Sequence, residues 1–213
     1  MKSKEAEEFT KYYQQKKVTG TYDKQREQSE YRRKKRKIEL AYFLELIDKK
    51  DGEKVLELGC SSGFLTKELG RVTAIDTSEG MLEIAKSKNP LATCIPGDMF
   101  KLNFKDSSFD KVVTMRVWNH LNETDLRNAI KESKRVLKKK GWLIFDIEEK
   151  NFWRRVVAKI YQAVTGITGF TIYQYSLREI QRILHEEGFR LEKARYLKHR
   201  IGRQIVLRFI KRD

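Results

Sequence analysis

Several common architectures are ruled out by what this chain has little of. Its 213 residues hold only two cysteines, two prolines and three histidines. Cys60 and Cys94 have no CxxC partner, so they supply neither a disulfide framework nor the ligand set of a zinc site. Two isolated thiols fit a reducing, cytoplasmic setting. No apolar run reaches the roughly 18 residues that a membrane span requires. Met1 is followed by a Lys- and Glu-rich stretch rather than by the apolar core of a secretory signal. Internal repeats and low-complexity linkers are also missing. What the chain has in excess is positive charge.

The formal net charge is +16, and it is unevenly spread. Residues 1–50 hold 15 basic and 9 acidic side chains, residues 51–150 hold 17 and 16, and residues 151–213 hold 14 and 5. A near-neutral middle is therefore flanked by basic ends. The middle opens on Val55-Leu56-Glu57-Leu58-Gly59-Cys60-Ser61-Ser62-Gly63, and Val72-Thr73-Ala74-Ile75-Asp76 follows. An apolar run that stops at a Gly-rich turn, then a second run that ends on an acid, is the pattern of a βαβ nucleotide site. Glycine lets the backbone approach a ligand, and the acid at the next strand tip can accept from ribose hydroxyls. The dinucleotide fingerprint G-x-G-x-x-G would need glycines at 59, 61 and 64. The chain has Gly59, Ser61 and Phe64, and Phe64 blocks close approach of a pyrophosphate to the helix start.

Glu57, Gly59 and Gly63 instead fit acid-x-G-x-G-x-G, with Ser61 in place of the middle glycine. This resembles motif I of the class I S-adenosylmethionine-dependent methyltransferases, of the small-molecule "type 11" kind. Four further segments follow in the family's order. Asp76-Thr77-Ser78-Glu79-Gly80-Met81-Leu82 resembles motif II. Gly97-Asp98-Met99 resembles the adenine-binding segment, and Ser108 to Val113 the strand of motif IV. Arg135-Val136-Leu137-Lys138-Lys139-Lys140-Gly141-Trp142 resembles the Arg-Val-Leu-Lys-Pro-Gly-Gly stretch, with Lys140 and Trp142 as departures. Together these segments cover about residues 50–148.

The resemblance implies a Rossmann-like, doubly wound α/β fold. Its mostly parallel, seven-stranded sheet carries helices on both faces and closes with a C-terminal antiparallel hairpin. The rhythm of the sequence agrees, with strands expected near 54–58, 72–75, 91–95, 109–114 and 142–147 and helices at 63–69, 78–88 and 123–138. Such alternation demands right-handed crossovers. Residues 1–50 read as a helical cap. It comprises a helix over about 3–17, a break at Thr19-Gly20-Thr21, and a helix over about 24–49 that carries the run Arg32 to Lys37. Residues 51–150 form the cofactor-binding core. Residues 151–175, with Phe152, Trp153, Val156, Val157 and Ile160 at helical spacing and glycines at 166 and 169, read as an inserted amphipathic segment that packs on the core or closes over the substrate as a lid. Residues 176–213 complete the domain. Ser176 and Glu179 fit a capping box, Gly188 fits a helix stop, and strands follow at 189–197 and 203–210.

The resemblance also assigns site residues. Asp76 accepts from the ribose hydroxyls. Gly59, Cys60, Ser61 and Gly63 form the turn beside the methionine moiety, and Glu57 organises that turn or reaches the cofactor amine through water. Thr77 and Met81 line the adenosine pocket, while Asp98 and Met99 meet the adenine. Arg116 reaches the donor or an acceptor anion. Tyr22 covers the cofactor and Arg32 meets its carboxylate. Past the fourth strand, the Met115 to Leu121 loop faces the transferable methyl group. His120 there is the candidate base, because imidazole titrates near neutrality. Trp118, Asn119, Tyr173 and Tyr175 are candidates for the acceptor pocket. No metal is implied. The acceptor is read as a small molecule, with the basic flanks suiting an anionic one, or alternatively as RNA. A non-catalytic protein that binds S-adenosylmethionine is a third reading.

Overall fold

A computed structural model describes residues 3–151, 172–199 and 202–213. Three N-terminal helices, α1 (Lys4–Tyr13), α2 (Lys16–Arg26) and α3 (Glu30–Ile47), precede an alternation of strands and helices. These are β1 (Val55–Leu58), α4 (Thr66–Leu69), β2 (Thr73–Asp76), α5 (Glu79–Lys88), β3 (Thr93–Pro96), β4 (Phe109–Thr114), α6 (Glu123–Val136) and β5 (Leu137–Glu149). The chain ends with β6 (Gln174–Tyr175), α7 (Leu177–Glu186), β7 (Phe189–His199) and β8 (Gly202–Lys211). Side-chain oxygens cap most helix starts. Ser3, Ser29, Ser78, Asn122 and Ser176 each accept a backbone N–H from the first turn, which satisfies donors that the helix leaves open. The expected capping box at Ser176 and Glu179 is present in both directions.

The strand order is β3-β2-β1-β4-β5-β8-β7, a seven-strand path to which β6 adds a short parallel pairing with β5. The first five strands run parallel. β8 runs antiparallel to both β5 and β7 and so forms the closing hairpin. Both faces of the sheet are covered, because successive residues point to opposite sides. Leu56, Leu58, Val112 and Phe145 pack with Leu126 and Ile130 of α6 and with Ile180 and Ile183 of α7. Val55, Val113 and Ile144 pack on the other face against Phe43, Leu46 and Ile47 of α3.

The N-terminal region departs from the sequence expectation. Thr19-Gly20-Thr21 lies inside α2 rather than breaking a helix. The breaks fall at Gln14–Gln15 and at 27–29, where Ser29 caps α3. A Cβ on Gly20 would meet nothing, so this glycine costs some helix propensity but meets no packing demand. The fourth helix forms only over Thr66–Leu69, and β5 begins at Leu137, well before the expected strand at 142. The amphipathic segment expected at 151–175 falls almost wholly on residues 152–171, outside the described residues. No helix among the described residues is long and apolar enough to cross a membrane.

Gly63 shows why the turn after β1 needs glycine. Its φ is +75°, and a Cβ there would sit 2.8 Å from the Ala85 Cα and 2.9 Å from the Ala85 Cβ of α5. The residue sets helix-to-turn packing. Gly63→Ala combines left-handed strain with a backbone clash, and we expect a loss of about 2–4 kcal/mol of stability, measured by denaturant unfolding.

Candidate functional site

The sheet order reverses between β1 and β4, which leaves a crevice at their carboxyl ends, the usual ligand position in an open α/β sheet. β1 stops because Gly59 turns the chain at φ +67°. The N–H groups of Gly59 and Cys60 donate to the Ile75 carbonyl at 2.9 and 3.0 Å. A Cβ on Gly59 would lie 2.7 Å from Val117 Cγ2, so only glycine lets that loop close down. Ser61, where the family pattern has glycine, also takes a left-handed backbone, with φ +50°. Its N–H donates to Asp76 Oδ2 at 2.8 Å, and the Ser78 N–H donates to Oδ1 at 2.9 Å. Asp76 thus fixes the turn at the tip of β2. Burial pushes its carboxyl above the ordinary carboxylate range, against the pull of these backbone donors.

Two cavities meet here. The first is a slot of about 80 Å³ between the tips of β1, β2 and β3, lined by Gly59, Asp76, Thr77, Asp98 and Met99. Phe9, Thr10 and Tyr13 of α1 and Tyr22 and Arg26 of α2 close it from above. The second is a cavity of about 390 Å³ bordered by Tyr12, Asn119, His120, Arg32, Lys35 and Glu148. Tyr13, Tyr22, Arg26 and Arg116 line both, so the two spaces share one wall. A small recess under that wall is lined by Glu57, Cys60, Phe64 and Arg36.

Arg116 stands in the shared wall in a left-handed conformation, φ +61°. Such strain persists only where the surroundings over-determine it. Here its N–H donates to Asp146 Oδ1 at 2.6 Å, its Nε donates to Glu39 Oε1 at 2.7 Å, and its Nη2 donates to Glu39 Oε2. Gln204 Nε2 bridges Glu39 and Asp146 at 2.5 and 2.7 Å, and Asn119 Nδ2 donates to Asp146 at 2.9 Å. Asn119 Oδ1 in turn accepts the Glu148 N–H at 2.8 Å. Burial pushes the Arg116 guanidinium down to about 10, which leaves it charged at neutrality, and raises the Asp146 carboxyl.

Other expected site residues lie elsewhere. Trp118 is 1% exposed and packs on Phe145 in the core, because the turn at 118–120 directs it inward, away from both cavities. Tyr175 is also buried, and its hydroxyl donates to the Leu121 carbonyl at 2.8 Å. Tyr173 packs at the edge of the same cluster, with its N–H on the Asn119 carbonyl. Met81 is buried beneath the turn beside Ser61 rather than in the slot. Arg32 borders the larger cavity only, whereas Arg26 lines the slot, the cavity and the recess. Helix phase explains this. The true break before Ser29 places Arg26, beside Tyr22, over the slot. His120 borders the larger cavity, and its ring stacks on Phe9 at 4.2 Å. Among the described residues, no group of three or more His, Cys, Asp or Glu side chains is placed to hold a metal ion.

The cover over the slot is tied at both ends. Ser3 donates to Asp125 through its hydroxyl at 2.5 Å and its N–H at 3.1 Å. Asp23 accepts from Ser62 Oγ at 2.8 Å and from Lys88 Nζ at 2.6 Å. The slot is narrow, about 80 Å³, and α1 and α2 cover it. We therefore expect α1 to move on ligand entry. Hydrogen exchange should be faster in Lys4–Tyr13 than in β1 and β4, and ligand should change it there first. Exchange as slow as in the core strands and unaffected by ligand would contradict this.

Glu57 gives a pH signature. It is 2% exposed, and Thr66 Oγ1 donates to it at 2.7 Å. Burial first, and then the Asp76 charge, push its carboxyl up to about 8 from an ordinary value of 4.5, against the Thr66 bond. Between those two values the unfolded chain binds fewer protons at this site than the folded one. Stability should accordingly fall as pH rises from about 4.5 to about 8. Glu57→Gln should flatten that stretch of the stability–pH curve, followed by chemical denaturation at several pH values.

The geometry can be set against known proteins. Residues 56–145 match the family model described as "Methyltransferase domain". An uncharacterised protein of Methanocaldococcus jannaschii is 32% identical over 168 residues, covering 68% of this chain and 65% of that protein. A demethylmenaquinone methyltransferase of Thermotoga maritima is 36% identical over 125 residues, covering 55% of this chain and 53% of that enzyme. The chain thus spans about half to two thirds of the length of these relatives. In fold it is similar to magnesium protoporphyrin IX methyltransferase of Synechocystis PCC 6803, solved with S-adenosylmethionine bound. The TM-score is 0.74 and the identity 18%, with 98% of each chain covered. Residues 56–145 therefore match a methyltransferase domain, and the chain as a whole shares the fold of S-adenosylmethionine-dependent methyltransferases.

Proposed function

We propose that this chain transfers a methyl group from S-adenosylmethionine to an oxygen, nitrogen or carbon nucleophile of a small-molecule acceptor. The observation that carries the reading is the shared wall. A slot lined by Asp76, Asp98 and Met99 and a larger cavity bordered by a candidate base have Tyr13, Tyr22, Arg26 and Arg116 in common. The slot's residues fit the donor. Asp76 retains acceptor capacity for ribose hydroxyls beyond its two backbone bonds, and Asp98 and Met99 stand at the tip of β3, where an adenine would lie. Arg26 and the Glu57 recess suit the charged methionine end.

When bound, the donor supplies an electrophilic sulfonium methyl, so the protein's own work is positioning and water exclusion. Arg116 and its buried partners hold the wall rigid. Phe9 and Tyr13 shield the slot from solvent. His120, stacked on Phe9 at the border of the larger cavity, is the group we assign to accept a proton from an acceptor that must lose one.

The disposition of the basic run favours a small acceptor over RNA. Arg36 is 5% exposed, with its guanidinium 3.7 Å above the Phe64 ring, and Lys34 pairs with Glu30 at 2.8 Å. Lys35 is half-buried toward Glu148. The run is therefore partly used inside the fold rather than offered as one solvated stripe. The relative named as a demethylmenaquinone methyltransferase points the same way.

Calorimetry tests the donor. S-adenosylhomocysteine should bind and NAD should not, and Asp76→Ala should weaken the adenosyl ligand by about 1–3 kcal/mol, the scale of lost charge-assisted hydrogen bonds. Binding of NAD alone would overturn the reading.

A further inference from the structure

The larger cavity has a strongly cationic lining among the described residues. Four cationic side chains, Arg26, Arg32, Lys35 and Arg116, face one carboxylate, Glu148. Glu148 Oε1 lies 3.9 Å from Lys35 Nζ, and the described lining holds more cations than carboxylates. Arg116 is offset by Glu39 beneath it, and that pairing uses Nε and Nη2. Among the described residues Nη1 makes no hydrogen bond, which leaves its N–H groups available at the wall. Arg32 and Lys35 lie three positions apart on α3, hence on one face of that helix, and both border this cavity but not the slot. The cations are thus divided. Arg26 and Arg116 serve both spaces, whereas Arg32 and Lys35 serve only the acceptor side.

Aromatic rings stand among these cations, with the Arg26 guanidinium 5.0 Å from the Tyr22 ring centroid. Tyr12 and Tyr13 meet edge to face at 5.1 Å, Tyr13 and Tyr22 do so at 6.0 Å, and all three line the cavity. A lining in which tyrosine rings alternate with cations suits a ligand with a planar ring and a negative group.

We propose that the acceptor is a planar-ring compound bearing a carboxylate or phosphate. Arg32 and Lys35 bind that anion, and Arg116, held by Glu39 and Gln204, completes the anion site at the wall next to the donor. Glu39 and Gln204 are positioning residues. They touch no ligand but fix the direction of the Arg116 fork. This inference rests on the donor reading given above, and its test keeps the two apart.

The experiment uses the full chain saturated with S-adenosylhomocysteine and titrates benzoate, phenyl phosphate and the neutral isostere benzamide, followed by calorimetry and ligand-observed NMR. At least one anionic probe should bind at least tenfold more tightly than benzamide, and the tighter of the two anions identifies carboxylate or phosphate as the recognised group. Raising salt should weaken it, as expected for an exposed charge pair. Lys35→Gln and Arg32→Gln should each weaken the anionic probe at least threefold and leave S-adenosylhomocysteine affinity within twofold. Glu39→Gln should weaken the anionic probe while the folded state, checked by thermal unfolding, persists. Should Glu39→Gln fail to fold, Gln204→Glu, which sets a third carboxylate beside Glu39 and Asp146, is the second variant with the same expected readout. Benzamide binding as tightly as benzoate and phenyl phosphate, no detectable binding of either anion, or anionic binding indifferent to Arg32 and Lys35 would overturn the proposal with the donor reading intact. Failure of S-adenosylhomocysteine itself to bind would overturn the donor reading first.

Discussion

The structure turns on the buried pairing of Glu39 with Arg116. Glu39 is fully buried on α3, and a lone carboxylate there would be costly to desolvate. It is tolerated because Arg116 meets it with two donors and Gln204 adds a third. The pair also explains why Arg116 holds a left-handed backbone, since its N–H is fixed on Asp146 at the same time. Through Gln204 and Asn119 the cluster joins α3, the loop after β4, β5 and β8. Removing one member would strand a charge rather than lose one bond, so the elements around the crevice stand or fall together.

That rigidity contrasts with the other side of the crevice. α1 and α2 are held over the slot by a few polar ties, Ser3 to Asp125 and Asp23 to Ser62 and Lys88. Burial works against the Asp23 charge, but the Lys88 and Ser62 bonds hold its carboxyl below the usual range. Phe9 and Tyr13 bring the apolar surface, and His120 packs against Phe9. A fixed wall and a lightly tied cover are what a site needs if a large ligand must enter and water must then be excluded.

Much of this was legible in the sequence because it is local. The strand–turn–strand from Val55 to Asp76, the acid at a strand tip, the Ser176–Glu179 capping box and the closing hairpin each rest on residues a few positions apart. What was not legible depends on distance or on helix phase. Glu39 and Gln204 are 165 positions apart in the chain, and nothing near either residue announces the other. Gly20 looked like a breaker because glycine is a poor helix former, yet tertiary context kept it inside α2. That shifted the phase of the following residues and put Arg26 where Arg32 was expected. Trp118 sits next to functional candidates in sequence, but a single turn of 3₁₀-helix points it into the core. Gly63 was legible as part of the turn pattern, but its packing against Ala85 of α5, which leaves no room for a Cβ, was not.

The central claim is that the slot framed by Gly59, Asp76 and Asp98 is a donor site that faces the larger cavity across Arg116. A crystal structure of the chain with S-adenosylhomocysteine tests it most directly. The account predicts the ribose on Asp76, the adenine beside Asp98 and Met99, and the sulfur directed past Tyr22 and Arg116 toward the cavity bordered by His120, with α1 displaced from its present seat. A ligand bound elsewhere, or one whose sulfur points away from that cavity, would contradict it.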